Sequence, residues 1–328
     1  MQVRDLLLQQ LSDARFHSGQ QLAQALGVSR TAVWKHVQQM EADLGLEISA
    51  VRGRGYRLAA PLELLDARRI RRELSATADA RLDAMSVLSC TTSTNSSASA
   101  DLPPDSGYAR VWLAEHQTAG RGRRGRPWVS AFGENLHLSL AWRFDLPMSE
   151  LSGLSLVAGV VVAEALAQLG LRGHSLKWPN DVLVDGCKLS GILAEVSGEA
   201  GGPATAVIGI GVNFRIPPAR ARQIDQPWTD LAQVSPVAIS RNRLAGVLID
   251  QLIHACHRFA TDGLTPFLGR WDAFDHLHGQ TIRLRRGSES LTGIYRGIAP
   301  SGAMLLQQPL GTSEHHAGEV SLVRAGDA

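Results

Sequence analysis

The chain has 328 residues, of which 44% are hydrophobic and 20% charged, and a formal net charge of +2. That length accommodates two or three folded domains, and that composition excludes a disordered chain and a bulk polycation, so any nucleic-acid contact has to come from a local patch. The three cysteines, Cys90, Cys187 and Cys256, stand far apart without a CxxC spacing, which excludes a disulfide framework or a structural zinc site and points to a reducing cytoplasm.

The first segment, MQVRDLLLQQLSDARF, carries Arg4, Asp5 and Asp13 without a cleavage-site pattern and predicts an amphipathic helix rather than a signal peptide. Leu6, Leu7 and Leu11 recur at helical spacing, and so do Leu22, Ala25 and Leu26. A turn at Gly27-Val28 follows, then Ser29 is placed to cap a third helix with Val33, Val37 and Met40 on its inner face. The stretch ISAVRGRGYRL, from Ile48 to Leu58, predicts two short strands around Gly53 and Gly55. That order is the order of a winged helix-turn-helix. In such a module the second helix of the turn enters the major groove, which nominates Arg30, Thr31, Trp34, Lys35 and Gln38 for bases and phosphates. Arg52, Arg54 and Arg57 of the wing are nominated for the flanking backbone. Winged helices also serve protein contacts, but the exposed helix face lacks an acid until Glu41 and nothing opposes the wing arginines.

Pro61 and ELLDARRIRREL read as a linker entering a short basic helix. From about residue 85 the pattern changes to that of a mixed α/β domain. Apolar strands at Val111 to Ala114, Leu136 to Ala141, Leu183-Val184, Ile192 to Val196 and Ala206 to Val212 alternate with helices at Leu151 to Leu169 and Arg241 to Thr261. The apolar run Leu154 to Ala163 meets Glu164 and is short for a membrane span. After Trp271 come short strands (TIRLRR, LTGIYRGI, AMLLQQ, EVSLVR) between glycine turns, which predict a small β-barrel.

The central domain carries the motifs with chemical content. TTSTN, Thr91 to Asn95, offers hydroxyls and an amide to a polar head group, although such clusters are commonly turns. EHQTAGRGRRGRPW is not a phosphate-cradling P-loop. Its glycine–arginine alternation, Gly120 to Arg126, suits either an RNA-coating tail or a loop folded around a charged ligand. KWPND, Lys177 to Asp181, brackets a rigid Trp-Pro pair with Lys and Asp, and GCKLSGIL sets Lys188 just before a strand. IGIGVNF, ending near Asn213, is a glycine-rich buried strand. Taken singly, each motif has an ordinary structural explanation. Together, Gly191, Gly209 and Gly211 predict that something approaches the sheet closely, because glycine otherwise weakens a strand. His276, His278, His315 and His316 have no Cys or acidic partners at ligand spacing, so no metal site is expected among them.

The order STN, Gln117, GRGRRGRxW, KWPND, KLSGIL and GIGVN resembles the biotin–protein ligase family. With the winged helix in front, the chain is similar to the bacterial bifunctional biotin ligase and biotin operon repressor, from the helix-turn-helix to GEVSL near the C-terminus. Lipoate ligases share the fold, but their pattern lacks the arginine–glycine loop. The resemblance implies a multidomain α+β protein: a winged helix-turn-helix DNA-binding domain over residues 1–62, a mixed α/β catalytic ligase domain over 63–273 and an SH3-like β-barrel over 274–328.

It further implies that Ser93, Thr94, Asn95, Gln117, Arg121, Gly122, Arg123 and Lys188 bind biotin. Gly120, Arg121, Arg124, Arg126, Trp128, Asn180 and Asn213 would bind the nucleotide, and Lys188 and Arg123 would be catalytic. From its place in KWPND, Asp181 is also nominated as catalytic, to orient or deprotonate the acceptor amine or to help position the metal. The implied substrates are biotin and ATP, with Mg²⁺ accompanying ATP, and the intermediate is biotinyl-5′-adenylate. Its acceptor is a lysine of a biotin carboxyl carrier protein. The adenylate-bound homodimer would then repress biotin genes on operator DNA, in the cytoplasm and away from any membrane. In that setting the arginine–glycine alternation predicts a lid: arginines neutralise phosphate oxygens, and glycine hinges let the loop keep water from the anhydride. FRIPPARARQIDQPW, after Asn213, stands where the family has a loop ordered by the adenylate. The alternatives are a biotin-responsive regulator without ligase chemistry, a ligase whose winged helix does not bind DNA, and an RNA-binding protein using GRGRRGR. Lys188, the complete arginine loop and the C-terminal segment argue against the regulator without ligase chemistry.

Overall fold

The computed structural model describes residues 3–103, 105–199 and 201–323. Arg324, the last residue of the predicted strand EVSLVR, lies outside them, as do the outermost residues of the first and last predicted domains.

Helices α1 (Val3–Leu11), α2 (Gly19–Leu26) and α3 (Arg30–Leu44) precede a hairpin of β1 (Ile48–Val51) and β2 (Gly55–Leu58). Ser18 and Gln21 form a capping box at the start of α2, and Gly27 ends that helix in the left-handed conformation. Ser29 Oγ accepts from the Ala32 N–H, 3.1 Å away, which starts α3 at the predicted place with Val33, Val37 and Met40 buried. The phase of the first two helices differs from the expected one. Leu8 is buried with Leu7 and Leu11 while Leu6 is half-buried, and Ala23 replaces the solvent-facing Ala25 beside Leu22. Three consecutive leucines leave the phase of α1 open, and packing settles it. The hairpin closes on the loop before α2: Tyr56 exchanges two 2.9 Å backbone hydrogen bonds with His17, and a Cβ on Gly55 would sit 1.9 Å from the His17 carbonyl oxygen.

The predicted basic helix is the short α4 (Ala67–Arg71), and a second short helix, α5 (Ala76–Asp79), follows it. The central domain then runs β3 (Leu82–Leu88), α6 (Thr94–Ala100), β4 (Ala109–Ala114), β5 (Asn135–Phe144), α7 (Leu154–Gln168), β6 (His174–Lys177), β7 (Asp181–Val184), β8 (Cys187–Gly198) and β9 (Ala204–Asn213). It closes with α8 (Pro218–Ala221), α9 (Leu231–Val234), α10 (Arg241–Asp262) and α11 (Thr265–Asp272). Its seven-stranded sheet has the order β3-β4-β5-β9-β8-β7-β6, parallel between β3 and β4 and antiparallel elsewhere. Helices α7 and α10 cover one face, and α6 packs on β4, β5 and β9. Because α10 and α11 also cover α7, that helix is apolar nearly all round. Met148–Gln168 is in fact long and apolar enough to span a membrane by composition, but 67% of its most apolar window is buried inside the protein.

The C-terminal strands are β10 (Thr281–Arg286), β11 (Glu289–Ile298), β12 (Met304–Gln308), β13 (Gly311–His315) and β14 (Glu319–Leu322), in the order β13-β12-β11-β10-β14. The expectation of a closed barrel is corrected at this level: β13 and β14 are the two edges, with no ladder joining them among the described residues. Ile282, Leu284, Tyr295 and Val320 belong to the same core as Trp271 and Leu277, which fixes this sheet against the end of the central domain.

The linker is stitched to the start of α10. The Glu63 carboxylate accepts from Ser240 Oγ at 2.6 Å, the Arg241 N–H at 2.7 Å and Asn242 Nδ2 at 2.9 Å. The Arg241 guanidinium donates to the Glu63 and Asn135 carbonyls and pairs with Glu115 at 2.8 Å, with both side chains under 7% exposed. Leu62 and Phe132 complete the winged-helix core from the catalytic side.

Candidate active site

Parallel pairing of β3 with β4 continues past both strand ends, through Thr118 N–H to Thr91 O and Ala119 N–H to Thr92 O, both 2.9 Å. This sets Gln117 beside the residues after Thr92. In those residues Ser93 takes an extended conformation and Thr94 opens α6. Gln117 Oε1 accepts from the Thr94 N–H at 2.7 Å and the Thr94 hydroxyl at 3.0 Å. Ser139 Oγ lies 2.7 Å from Thr94 Oγ1 and 2.6 Å from Asn95 Oδ1, while Asn95 Nδ2 donates to Glu195 at 2.7 Å. Asn95 therefore lines the site with both ends of its amide already engaged.

The segment Gly120 to Trp128 is an ordered hairpin, held by Gly122 N–H to Arg126 O at 2.7 Å and Trp128 N–H to Gly120 O at 2.9 Å. Its tip turns through Arg124 and Gly125, both at positive φ. Each arginine has a partner. Arg121 donates to Ser96 Oγ at 3.2 Å, Arg123 donates to Asn180 Oδ1 at 3.1 Å, and Glu319 of β14 takes Arg124 at 3.3 Å and Arg126 at 2.6 Å. Trp128 lies flat over the sheet where the glycines stand: a Cβ on Gly211 would come within 2.6 Å of its indole, and one on Gly191 within 3.0 Å. A Cβ on Gly209 would meet Asn95 Oδ1 at 2.1 Å. The close approach predicted from the three glycines is thus made by the protein's own Trp128 and Asn95. The Trp128 indole N–H is buried with no partner among the described residues.

Lys188, within β8 rather than before it, reaches over Trp128, its Nζ 5.7 Å from the ring and 2.8 Å from Asp181 Oδ1. The Trp178-Pro179 bond of KWPND is cis, and Asn180 Nδ2 donates to the Ile192 carbonyl at 2.9 Å. These groups enclose a cavity of about 410 Å³. Eight cationic side chains line it (Arg121, Arg123, Arg124, Arg126, Lys177, Lys188, Arg283 and Arg285) against two carboxylates, Asp181 and Glu319. Ser93, Thr94, Gln117 and His137 add neutral polar groups to the same lining. Burial, then Arg241 and His116, push the His137 imidazole down to about 3, so it is neutral. Burial also lowers Lys177, and burial followed by Arg124 lowers Arg123. A site with this lining suits a ligand that combines an uncharged polar head, an apolar chain or ring against Trp128, and phosphates.

Of the residues nominated from sequence, the fold brings Ser93, Thr94, Asn95, Gln117, Arg121, Gly122, Arg123, Arg124, Arg126, Trp128, Asn180, Asp181 and Lys188 to this cavity. Gly120 and Asn213 are not among its lining residues. A side chain on Gly120 would collide with Gln117 Nε2 and the Trp128 carbonyl, each 2.9 Å from its Cβ position, so this glycine keeps room for its neighbours. The Asn213 side chain is turned to the Asn135 amide at 3.2 Å and the Thr229 carbonyl at 3.0 Å, which ties the loop after β9 to the sheet. Sequence reasoning missed His137, Lys177 as a lining cation, and Arg283, Arg285 and Glu319. Lys177 had a signal in its motif. The C-terminal residues had none, because they reach the cavity only through domain packing.

In the N-terminal domain Arg30, Thr31, Trp34, Lys35, Gln38, Arg52 and Arg54 are all exposed. Arg30, Thr31, Trp34 and Arg52 line one groove between α3 and the wing, and Trp34 is 51% exposed. Gln38 donates to Glu41 at 2.9 Å, and Arg54 and Arg57 stack on Phe16, 4.0 and 4.8 Å from its ring centre. Two of the wing arginines are therefore braced rather than extended.

Comparison with known proteins agrees with this geometry. Residues 3–57 match an HTH domain family, residues 87–213 the Biotin/lipoate A/B protein ligase family, and residues 277–323 the Biotin protein ligase C terminal domain family. The Bifunctional ligase/repressor BirA of Salmonella typhimurium is 40% identical over 316 residues, 96% of either chain, and that of Bacillus subtilis is 32% identical over 94% of either chain. The structure of the Aquifex aeolicus biotin protein ligase in complex with biotin and ATP superposes with a TM-score of 0.61 at 28% identity, over 74% of this chain and all of that one. The chain belongs to the BirA family of bifunctional ligase/repressors.

Proposed function

We propose that the protein is a biotin–[acetyl-CoA-carboxylase] ligase that joins biotin to ATP, releasing pyrophosphate, and then passes the biotinyl group to a lysine of a biotin carboxyl carrier protein. With the adenylate bound it acts as a transcriptional repressor of biotin biosynthesis genes. The observation that carries this reading is one cavity lined both by the neutral polar groups of Ser93, Thr94 and Gln117 and by a set of cations that includes Lys188 and Arg123. The relatives named ligase/repressor and the Aquifex ligase with biotin and ATP support it.

In the first step a biotin carboxylate oxygen bonds to the α-phosphorus as the bond to the pyrophosphate oxygen breaks. Lys188 and Arg123 neutralise the charge gathered on the phosphate oxygens, in a site that Trp128 shields from water. Asp181 holds the Lys188 ammonium. With its Oδ1 2.8 Å from the Lys188 ammonium, Asp181 acts as a positioning residue for that lysine. Mg²⁺ travels with ATP and lowers the phosphate charge when bound; both cavity carboxylates are already engaged by cations, so the triphosphate supplies its oxygens. In the second step the acceptor amine, with an ordinary pKa of ~10.4, loses its proton to solvent water and attacks the acyl carbon, forming the amide as the bond to AMP breaks.

Residues 1–62 form the DNA-binding unit, residues 63–273 the catalytic unit, and residues 274–328 a C-terminal β-domain whose Glu319 joins the cavity lining. The adenylate favours a homodimer, and two helix-turn-helix units then meet a two-fold operator. The protein acts in the cytoplasm. Incubation with labelled biotin, ATP and Mg²⁺, with and without a carrier acceptor, tests the chemistry. Labelled adenylate discharged by the acceptor is expected, and its absence would leave a biotin-responsive regulator without ligase activity. A gel shift on a biotin-gene promoter with adenylate tests the repressor half, and no shift would mean a ligase whose winged helix does not bind DNA.

A further inference from the structure

Behind Gln117 lies a row of polar groups that the two chemical steps leave unused. Gln117, His137, Ser130 and His116 are each less than a tenth exposed. A backbone N–H can only donate, so the Thr94 N–H, 2.7 Å from the Gln117 amide, requires the oxygen of that amide to face it. The amide nitrogen then faces His137 Nδ1 at 3.3 Å. An NH₂ group also only donates, so Nδ1 is the acceptor and the ring proton sits on Nε2. From there Nε2–H donates to Ser130 Oγ at 2.9 Å, the Gln117 N–H donates to the same oxygen at 3.0 Å, and the Ser130 proton goes to His116 Nδ1 at 3.0 Å. One backbone donor sets the direction of every bond in the row. The second Nε2 proton of Gln117 is left for an acceptor in the cavity that Gln117 and His137 line together.

We infer that His137 is a positioning residue for the substrate head: it locks the Gln117 amide so that an N–H donor faces the carbonyl of a neutral cyclic urea. The inference rests on the ligase reading above. With the other tautomer, or a charged ring, Nδ1–H would point at the Gln117 nitrogen. The amide would have to turn over, placing its nitrogen against the Thr94 N–H.

The test uses the full chain and adenylate formation measured against biotin and, separately, against ATP. His137→Phe keeps a ring of similar size without the acceptor, and is expected to raise KM for biotin about tenfold, the loss of one aligned hydrogen bond, while KM for ATP stays within about twofold. His137→Asn, whose Oδ1 replaces Nδ1 as acceptor, is expected to recover most of the loss. An unchanged biotin KM, equal rises in both KM values, or no recovery with Asn overturns the assignment. Because a buried ring replacement can disturb folding, imidazole ¹⁵N resonances of the unaltered protein give a second readout. A neutral His137 protonated on Nε2 is expected, and an Nδ1–H or charged ring overturns the inference. A wild type that forms no adenylate overturns the ligase reading and this inference with it, whereas an active wild type with contrary His137 results removes only the latter.

Discussion

Replacing Gly211 with alanine puts a methyl group where the Trp128 indole already lies. The added carbon would stand 2.6 Å from Trp128 Cε2 and 2.7 Å from Cζ2, whereas ordinary contact begins at 3.4 Å. The indole, or the strand beneath it, then has to retreat by about 1 Å. Retreat is opposed, because the hairpin backbone pins Trp128 to Gly120 and Lys188 lies over the ring. Overpacking of this kind costs about 1–3 kcal/mol, and if it falls on the closed, reacting arrangement it slows adenylate formation by about 5- to 150-fold. Single-turnover pyrophosphate release from the Gly211→Ala enzyme measures this directly. The cause is isolated by a double-mutant cycle with Trp128→Ala, which removes the colliding ring: the Gly211→Ala penalty is expected to vanish in that background. A rate within twofold of wild type, or penalties that simply add in the double mutant, would refute the reasoning.

Lys188→Ala is expected to lower adenylate formation by about 10²–10³-fold while still passing preformed adenylate to the acceptor, as followed by carrier-protein labelling; equal loss in both half-reactions contradicts the role. Asp181→Asn is expected to show the same selectivity with a smaller loss of about tenfold, whereas a selective transfer defect would restore Asp181 as the amine's base. Arg30→Ala or Lys35→Ala is expected to weaken operator binding and to reduce the slope of log affinity against log salt by about 1 for each phosphate no longer neutralised, with ligation unchanged. Glu134, raised to about 7 chiefly by burial, ionises less readily folded than unfolded, so the folded state loses stability as pH rises from about 4.5 to about 7. Denaturant unfolding across that window is expected to show Glu134→Gln gaining on the wild type toward the alkaline end, and parallel curves would contradict it.

Local rules made the winged helix legible, because Ser29 as a cap and Val33, Val37 and Met40 as one stripe need no information from the rest of the chain. The glycines of the central strands were legible in the same way, but only as a demand for close approach. That Trp128 and Asn95 meet it depends on how the arginine hairpin folds back. The Thr94–Ala100 helix was hidden because its serines and threonines have weak helix preference, and it forms where packing on β4, β5 and β9 requires it. Asn213 shows where residue type alone is ambiguous. An amide closing a glycine-rich strand looks like a ligand contact, yet its hydrogen bonds go to Asn135 and Thr229. Glu319 and Arg283 could not be placed from sequence, since no pattern says which edge of the C-terminal sheet faces the cavity.

The stitching of Glu63 to the head of α10 determines where this chain can be divided. A ligase shortened to begin at about residue 67 would lose the carboxylate that receives Ser240, the Arg241 N–H and Asn242, and would leave Arg241 with only Glu115 and Asn135 for its buried charge. Leaving buried polar groups unpaired in this way costs several kcal/mol, and the damage sits where β4 leads into Gln117 and β5 begins at Asn135. A shortened enzyme that retains residues 63–66 keeps those bonds, and the exposed Phe132 becomes its main new liability. The segment joining the two units is thus part of the catalytic scaffold, and the useful cleavage point lies on its N-terminal side.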